Sequence, residues 1–492
     1  MTAIDESTAP SQTRSGPVAH YVDGRWRAAG AVATSYAPAT GEPLGEYHDG
    51  DAAVMQEAID AARRAFTETS WRKDRQLRAK VLNEMADAIE AATDELALLL
   101  ARENGKILPE AHFELSLTPS KLRYYAAQAL TGSGRGDQAT AGVLSTLVRE
   151  PIGVAGVIVP WNSPVVLAVR SFAPALAAGC TAVVKMAAQT ALTNGRLAEL
   201  LAACPSLPAG VLNIVTESGS DGAKLLVSSP DVPAISYTGS TAVGRVIAAD
   251  AAANLKRLSL ELGGKTPMIV FPDADLDKAV GTIVAGITTF AGQFCMTGSR
   301  VLVHADVAEE VRNRLVGALS DVVVGPGDDE NSQMGPMIDK AARDRLAQTL
   351  ATHATDAGVL VEGGVPEEPE LAAGAYFRPA LYEVTSVKSP LVQKELFGPV
   401  ATFEVFTDEA DAIARANATE YGLAASVWTA DGARGLRMAD ALEAGTVWVN
   451  AWAVVMDQFE EGGFKQSGLG RLNGHRAVEE FQEFKHIVQT MG

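Results

Sequence analysis

Read for the spacing of its apolar positions, the chain falls into three stretches. Between Asp51 and Leu130 apolar residues recur at helical intervals. The spacing predicts a helix from about Asp51 to Phe66, a longer one from about Arg75 to Leu100 with Leu77, Val81, Leu82, Met85 and Ile89 on one stripe, and a third from about Pro109 to Leu130. Thr93 before Asp94 and Glu95 offers a cap for a further turn, and Asn104-Gly105 supplies a stop. Ahead of them, Tyr21–Trp26 reads as a hairpin at a sheet edge, because Asp23-Gly24 sits between extended residues. From Val143 the period changes. Val143–Arg149 is strand-like, and apolar runs at Val154–Val159, Thr181–Lys185, Val211–Val215, Ala234–Thr238 and Arg257–Leu262 then alternate with helix-length segments. Such alternation predicts a parallel sheet, doubly wound through right-handed crossovers. A second alternating region follows: strand Met268–Phe271, a helix from about Leu276 to Phe290, and strands Arg300–His304, Val400–Phe406, Ala424–Trp428 and Thr446–Val449. Thr131–Gly136 reads as a loop or linker. After His475 come a short helix and an exposed strand, Lys485–Gln489, which together with Val143–Arg149 is placed to extend a neighbouring subunit's sheet.

Composition narrows the function. With 492 residues the chain has room for roughly three domains. Its 41 basic against 60 acidic residues, a net charge of −19, argue against nucleic acid and anionic membrane as partners. No apolar run approaches the roughly 18 residues of a membrane span, and Met1–Pro17 is a polar tail without a signal-peptide core. Three cysteines, Cys180, Cys204 and Cys295, form neither a disulfide framework nor a metal motif, so the expectation is a cytoplasmic protein with no metal site.

The candidate chemistry gathers at strand ends, where open parallel sheets bind ligands. Pro160-Trp161-Asn162-Ser163-Pro164, Lys185, Thr238-Gly239-Ser240 and Glu261-Leu262-Gly263-Gly264 all lie at such ends. Cys295 sits among small residues between a helix and a strand. On its own it reads equally as a buried structural thiol or as a nucleophile needing activation. Glu261, closing an apolar strand, suits a general base or is an ordinary strand-end carboxylate. Asn162 precedes Pro164 and either caps that helix or donates to a developing oxyanion. Gly239–Gly244 follows a strand and opens a helix whose free amides attract phosphate, with Lys185 nearby for ribose hydroxyls or phosphate. Gly468–Gly474 looks like a dinucleotide fingerprint but follows no convincing strand and is set aside.

Taken together, Pro160-Trp161-Asn162, Tyr237-Thr238-Gly239-Ser240, Glu261-Leu262-Gly263-Gly264-Lys265, Gly292-Gln293-Phe294-Cys295, Lys394–Val400 and Gly463–Gly468 resemble the NAD(P)-dependent aldehyde dehydrogenase superfamily over nearly the whole chain. The resemblance implies an α/β fold: a doubly wound parallel-sheet dinucleotide-binding domain (18–130 and 150–262), a second α/β catalytic domain (263–474), and a small β oligomerisation arm (131–149 and 475–492) behind the flexible tail 1–17. It implies oxidation of an aldehyde to the acid. Cys295 is the nucleophile, Asn162 and the Cys295 amide stabilise the oxyanion, and Glu261 activates the water that hydrolyses the thioester. By the same resemblance Glu395 binds the nicotinamide ribose, Phe397 packs near the nicotinamide, Ser240 with Gly239 and Gly244 holds the pyrophosphate, and Lys185 binds the adenosine ribose. Trp161 and Leu262 complete the cofactor set, and the expected assembly is a homodimer or homotetramer.

Departures from the family pattern carry the individuality of this chain. Ala188 stands where a glutamate usually grips the ribose hydroxyls, which removes a repulsion toward a 2′-phosphate and predicts acceptance of NADP alongside NAD. The expected substrate pocket is Ser163, Leu167, Arg170, Phe294, Met296, Trp452, Val455, Phe459 and Glu461, a mixed lining in place of an aromatic box. Arg170 and Glu461 are expected to pair with each other; unpaired, the first would favour an acidic aldehyde and the second a cationic one. Acyl transfer to coenzyme A, a non-catalytic protein of the same fold, and a cysteine hydrolase are the rival readings. Glu261, the complete Cys295–Glu261–Asn162 set, and the lack of a histidine motif beside Cys295 speak against them in turn.

Overall fold

The computed structural model describes residues 16–132 and 134–491, so most of the expected N-terminal tail lies outside the described residues. Its architecture is α/β. An eight-stranded sheet runs, edge to edge, through Arg25–Arg27, His20–Val22, Leu212–Glu217, Thr181–Ala187, Val154–Ile158, Ala234–Thr238, Arg257–Glu261 and Gly468–Leu469. Its five central strands are parallel and covered on both faces, which is why Val154–Ile158 and Ala234–Thr238 are buried at every position. A seven-stranded sheet built around Arg300–His304 and Pro267–Val270 forms the second layer system, parallel except for the outermost strand Gly358–Val361.

The expected hairpin is present at the edge of the first sheet, with Asp23 and Gly24 at φ 53° and 72° as a tight two-residue turn requires. The single helix expected over Arg75–Leu100 is instead two, Arg75–Ala91 and Thr93–Asn104, broken at Ala92. Thr93 turns its hydroxyl back to the carbonyls of Ile89 and Glu90, so it closes the first helix and leaves the second without a side-chain cap. Gly105 ends the second helix at φ 89°.

Two further readings change. Arg135, placed in a linker, begins a strand that runs to Thr140. The C-terminal strand Gln482–Thr490 finds its partner within its own chain, pairing antiparallel along the whole of Val143–Pro151 in a three-stranded sheet. Gly468–Leu469 is a short edge strand followed by a turn with Gly470, Asn473 and Gly474 at positive φ, and no helix opens directly from it to receive a phosphate. Among the described residues no helix is long and apolar enough to cross a membrane.

Candidate active site

The nucleophile loop is shaped before the cysteine is reached. Helix Leu276–Thr288 stops, and Phe290, Ala291 and Gly292 follow with φ of 55°, 52° and 69°, three left-handed residues in a row. Only Gly292 is intrinsically suited to that region; a Cβ there would also lie 2.1 Å from the Gly398 carbonyl oxygen. The strain is held by hydrogen bonds. The Phe290 amide donates to Glu110 Oε1 at 2.8 Å, the Thr297 hydroxyl to the Gly292 carbonyl at 3.0 Å, and the Ile338 amide to Gln293 Oε1 at 3.0 Å. This turn presents Cys295, half-buried, to a cavity of about 610 Å³.

Two further groups meet the loop. Asn162 does not cap the helix Pro164–Ala178, because Pro164 is its first residue and Ser163 its N-cap. Its amide instead donates to the Gln293 carbonyl at 3.0 Å, which leaves the second N–H of the amide unspent beside Cys295. Glu261 ends its strand 4 % exposed, with Oε1 buried and unpartnered. The following Gly264 permits the close approach, since a Cβ there would lie 2.4 Å from the Cys295 carbonyl oxygen. Burial raises the Glu261 carboxyl to about 7, with Arg170 opposing the rise and Glu461 adding to it. Burial likewise pushes the Cys295 thiol up to about 12, with Arg170 pulling it down while Glu395, Glu261 and Glu461 push it further up. The site therefore does not ionise the thiol by itself.

The expected cofactor residues are placed as follows. Strand Ala234–Thr238 leads into helix Thr241–Ala252, with Ser240 as N-cap accepting from the Val243 amide at 3.4 Å, and Gly244 lets that helix lie against Leu262. The Gly239 amide donates to the Glu261 carbonyl at 3.0 Å, which locks the turn before helix Thr241–Ala252 to the strand that carries Glu261. Trp161 and Phe397 meet edge to face at 5.6 Å. Glu395 accepts the Gly264 amide at 3.0 Å through Oε1, and burial raises its carboxyl to about 7. Lys185 does not end its strand, which runs on to Ala187; it is partly buried within it, its ammonium disfavoured by desolvation and supported by Glu217 and Asp49. A helix N-terminus, a desolvated carboxylate and an ammonium near a strand end are the donor and acceptor set that a dinucleotide with two ribose diols and a pyrophosphate needs, so the residues fit NAD.

The cavity takes in Asn162, Ser163, Leu167, Arg170, Phe294, Met296, Trp452, Val455 and Glu461, as expected. Trp452 donates its indole N–H to the Met296 carbonyl at 2.9 Å and meets Phe294 edge to face at 5.9 Å. Arg170 and Glu461 pair at 3.3 Å. Phe459 is a correction: it lies outside the cavity, 70 % exposed in a surface turn. The opposite wall was missed. Helix Leu108–Leu130 contributes Glu110, Phe113, Glu114, Leu117 and Lys121, whose spacing of three and four is a helical stripe visible in the sequence. Phe113 and Phe290 make the lining more aromatic than expected. Behind it Lys106 is fully buried on Glu114, donates to Ser163 Oγ at 3.1 Å, and stands 4.0 Å over the Phe290 ring. Lys265 was quoted in a motif without a role. Its buried, unpartnered ammonium is pushed down to about 7 by burial and the nearby Arg300, close to Glu395.

Comparison with known proteins bears directly on this geometry. The sequence pattern of the aldehyde dehydrogenase family matches residues 26–487. The chain is 38% identical over 499 residues to phenylacetaldehyde dehydrogenase of Pseudomonas fluorescens, covering 99% of this chain and 97% of that protein. It is 36% identical to betaine aldehyde dehydrogenase of Sinorhizobium fredii, covering 96% and 97%. A crystal structure of betaine aldehyde dehydrogenase from Staphylococcus aureus in complex with NAD+ superposes with a TM-score of 0.94 at 33% identity, covering 97% of this chain and 96% of the other.

Proposed function

The chain belongs to the aldehyde dehydrogenase family, and on that premise we propose that it oxidises an uncharged, largely apolar aldehyde to the carboxylic acid with NAD or NADP. The observation that carries this reading is that the Cys295 thiol and the half-used Asn162 amide line one cavity, with the desolvated Glu261 carboxyl buried outside its lining and near enough to act electrostatically on the thiol. In the reaction Cys295 Sγ attacks the carbonyl carbon while its proton passes to Glu261. The oxygen gains charge and takes hydrogen bonds from Asn162 Nδ2 and the Cys295 amide. When bound, the nicotinamide supplies the acceptor for the hydride that leaves this tetrahedral adduct, so that a thioester remains on Cys295. Glu261, having released its proton, then takes one from water; the water oxygen attacks the acyl carbon, the C–S bond breaks and the acid departs. Residues 18–130 with 150–262 serve cofactor binding in this scheme, and 263–474 carry the thiol.

The substrate class follows from charge. Arg170 pairs with Glu461, Glu114 with Lys106 and Lys121 with Asp457, Glu110 accepts the Phe290 amide, and the remaining lining includes Phe113, Leu117, Phe290, Phe294 and Trp452. The relatedness to a phenylacetaldehyde dehydrogenase points the same way. In a kinetic panel, benzaldehyde is expected to exceed succinic semialdehyde and betaine aldehyde in kcat/KM by at least about tenfold, since an unpaired charge in this cavity costs well over 1.4 kcal/mol. A charged aldehyde ranking first would refute the assignment. NADP acceptance rests on Ala188, which carries a methyl where the family pattern has a glutamate, and it holds although Glu217 and Asp49 act on the nearby Lys185. NADP turnover more than about a thousandfold below NAD in kcat/KM would overturn that part.

A further inference from the structure

The Arg170–Glu461 pair is more than a neutral plug in the cavity. Arg170 projects from helix Pro164–Ala178 and is 5 % exposed. Its Nη1 meets Glu461 Oε2 at 3.3 Å and its Nη2 donates to Thr238 Oγ1 at 3.2 Å, while its Nε is buried without a partner. Glu461 is held in turn by Asn473 Nδ2 at 2.8 Å and by backbone bonds in both directions with Leu472. The guanidinium is thus fixed by three segments distant in sequence. Thr238, which accepts from Arg170, is the direct register partner of Glu261 on the adjacent parallel strand, and Arg170 lines the same cavity as Cys295, so the guanidinium lies near both groups. The charged groups that act electrostatically on Cys295 are Arg170 from its helix, Glu261 from its strand end, Glu395 from the loop before Phe397, and Glu461 from the loop after Trp452, and Arg170 is the one cation among these four. Arg471 is a second cation acting on Glu261, without a corresponding influence on Cys295.

We propose, building on the reaction above, that Arg170 is the positioning cation of this centre, holding the single negative charge that moves between the Glu261 carboxylate and the Cys295 sulfur, with Glu461 setting how much of its field is free for that task. The exchange balances without a further reactant. The S–H bond of Cys295 breaks, its electron pair stays on sulfur, and the proton joins a Glu261 oxygen, so one anion exists before and after. A cation close to both seats stabilises the charge at either. Glu461 competes for the same guanidinium, so neutralising Glu461 strengthens the pull of Arg170 on the sulfur, and neutralising Arg170 leaves Cys295 facing only carboxylates.

The test needs neither aldehyde nor cofactor, so it stands or falls separately from the assigned reaction. The full-length enzyme is treated with iodoacetamide at one pH near 8, and alkylation of the Cys295 peptide is followed by mass spectrometry. The rate reports the thiolate fraction as long as that fraction is small. Arg170→Gln is expected to slow alkylation about tenfold, one unit in thiol pKa, and Glu461→Gln to speed it several-fold. Arg170→Lys, which keeps the charge, is expected to stay within about threefold of wild type, and the double variant Arg170→Gln/Glu461→Gln to return toward it. Loss of packing would disturb all four variants without regard to charge sign. Rates that move the same way in Arg170→Gln and Glu461→Gln, or that change less than twofold in both, overturn the proposal.

Discussion

Glu261 shows what a single buried carboxyl does to both stability and chemistry. Its proton affinity in the folded chain is raised to about 7, above the ordinary carboxylate value, by burial. The native state therefore holds a proton that the unfolded chain has released between about pH 4.5 and 7. Stability falls as pH rises through that window, by on the order of 3 kcal/mol for this group, and stays at the lower level above it. Glu261→Gln removes the titration. Its Tm relative to wild type is expected to climb between pH 5 and pH 7 and then level off; a difference independent of pH would contradict the assignment. The chemical counterpart has the same midpoint, because only the deprotonated carboxyl can take a proton from water. Hydrolysis of a preformed acyl-enzyme should rise with pH to a plateau above about 7 and be lost at all pH values in Glu261→Gln. At this scale the family resemblance singled out Cys295, Glu261 and Asn162, and the structure places Cys295 and Asn162 in one cavity lining with Glu261 acting on the thiol from outside it. The actual hydrogen bond of Asn162, to Gln293 and not to a helix end, depends on a contact 131 residues away that no local pattern encodes.

At the level of elements, the short turn Phe290–Gly292 and the helix Leu108–Leu130 behave as one device. The helix supplies Glu110, whose carboxyl accepts the Phe290 amide and is itself raised to about 7 by burial. Glu110→Gln keeps an acceptor and should retain most of kcat. Glu110→Leu orphans a buried amide at a cost of about 1–3 kcal/mol and should lower kcat with little change in the Kd for NAD, measured by cofactor titration. Equal loss in both variants would separate Glu110 from the turn. Gly292→Ala meets both a left-handed φ and the Gly398 backbone, so the unfolding free energy from denaturant titration should fall by more than the roughly 1–2 kcal/mol that the backbone alone costs. The strands Val400–Phe406, Ala424–Trp428 and Thr446–Val449 were legible to the residue, since strongly apolar runs between turn residues leave little freedom in their ends. The break at Ala92 was not, because Ala92 has high helix propensity and the hydroxyl of Thr93 can serve either neighbouring helix.

Across the whole molecule, two sheets are built from separate stretches of chain, one carrying Glu261 and the Gly239–Gly244 turn while the other takes up the strand that follows the Cys295 loop. That alternation was visible from apolar periodicity alone. The partner of the C-terminal strand was not, since pairing between Gln482–Thr490 and Val143–Pro151 joins segments more than three hundred residues apart. The same strand exposes Phe484, Ile487 and Val488, and such a surface on an edge strand fits an oligomer interface. Truncation after Phe481 is expected to lower the mass seen by light scattering from that of a homodimer or homotetramer, and an unchanged mass would remove this strand from the interface. The most direct test of the account lies back at the thiol. Wild-type enzyme is mixed with NAD and benzaldehyde, quenched with acid within the first turnover, digested, and the peptides are weighed. The account predicts a benzoyl group on Cys295, the mass of the aldehyde less two hydrogens. NADH formation with Cys295 unmodified, or with the acyl group on another residue, would contradict it.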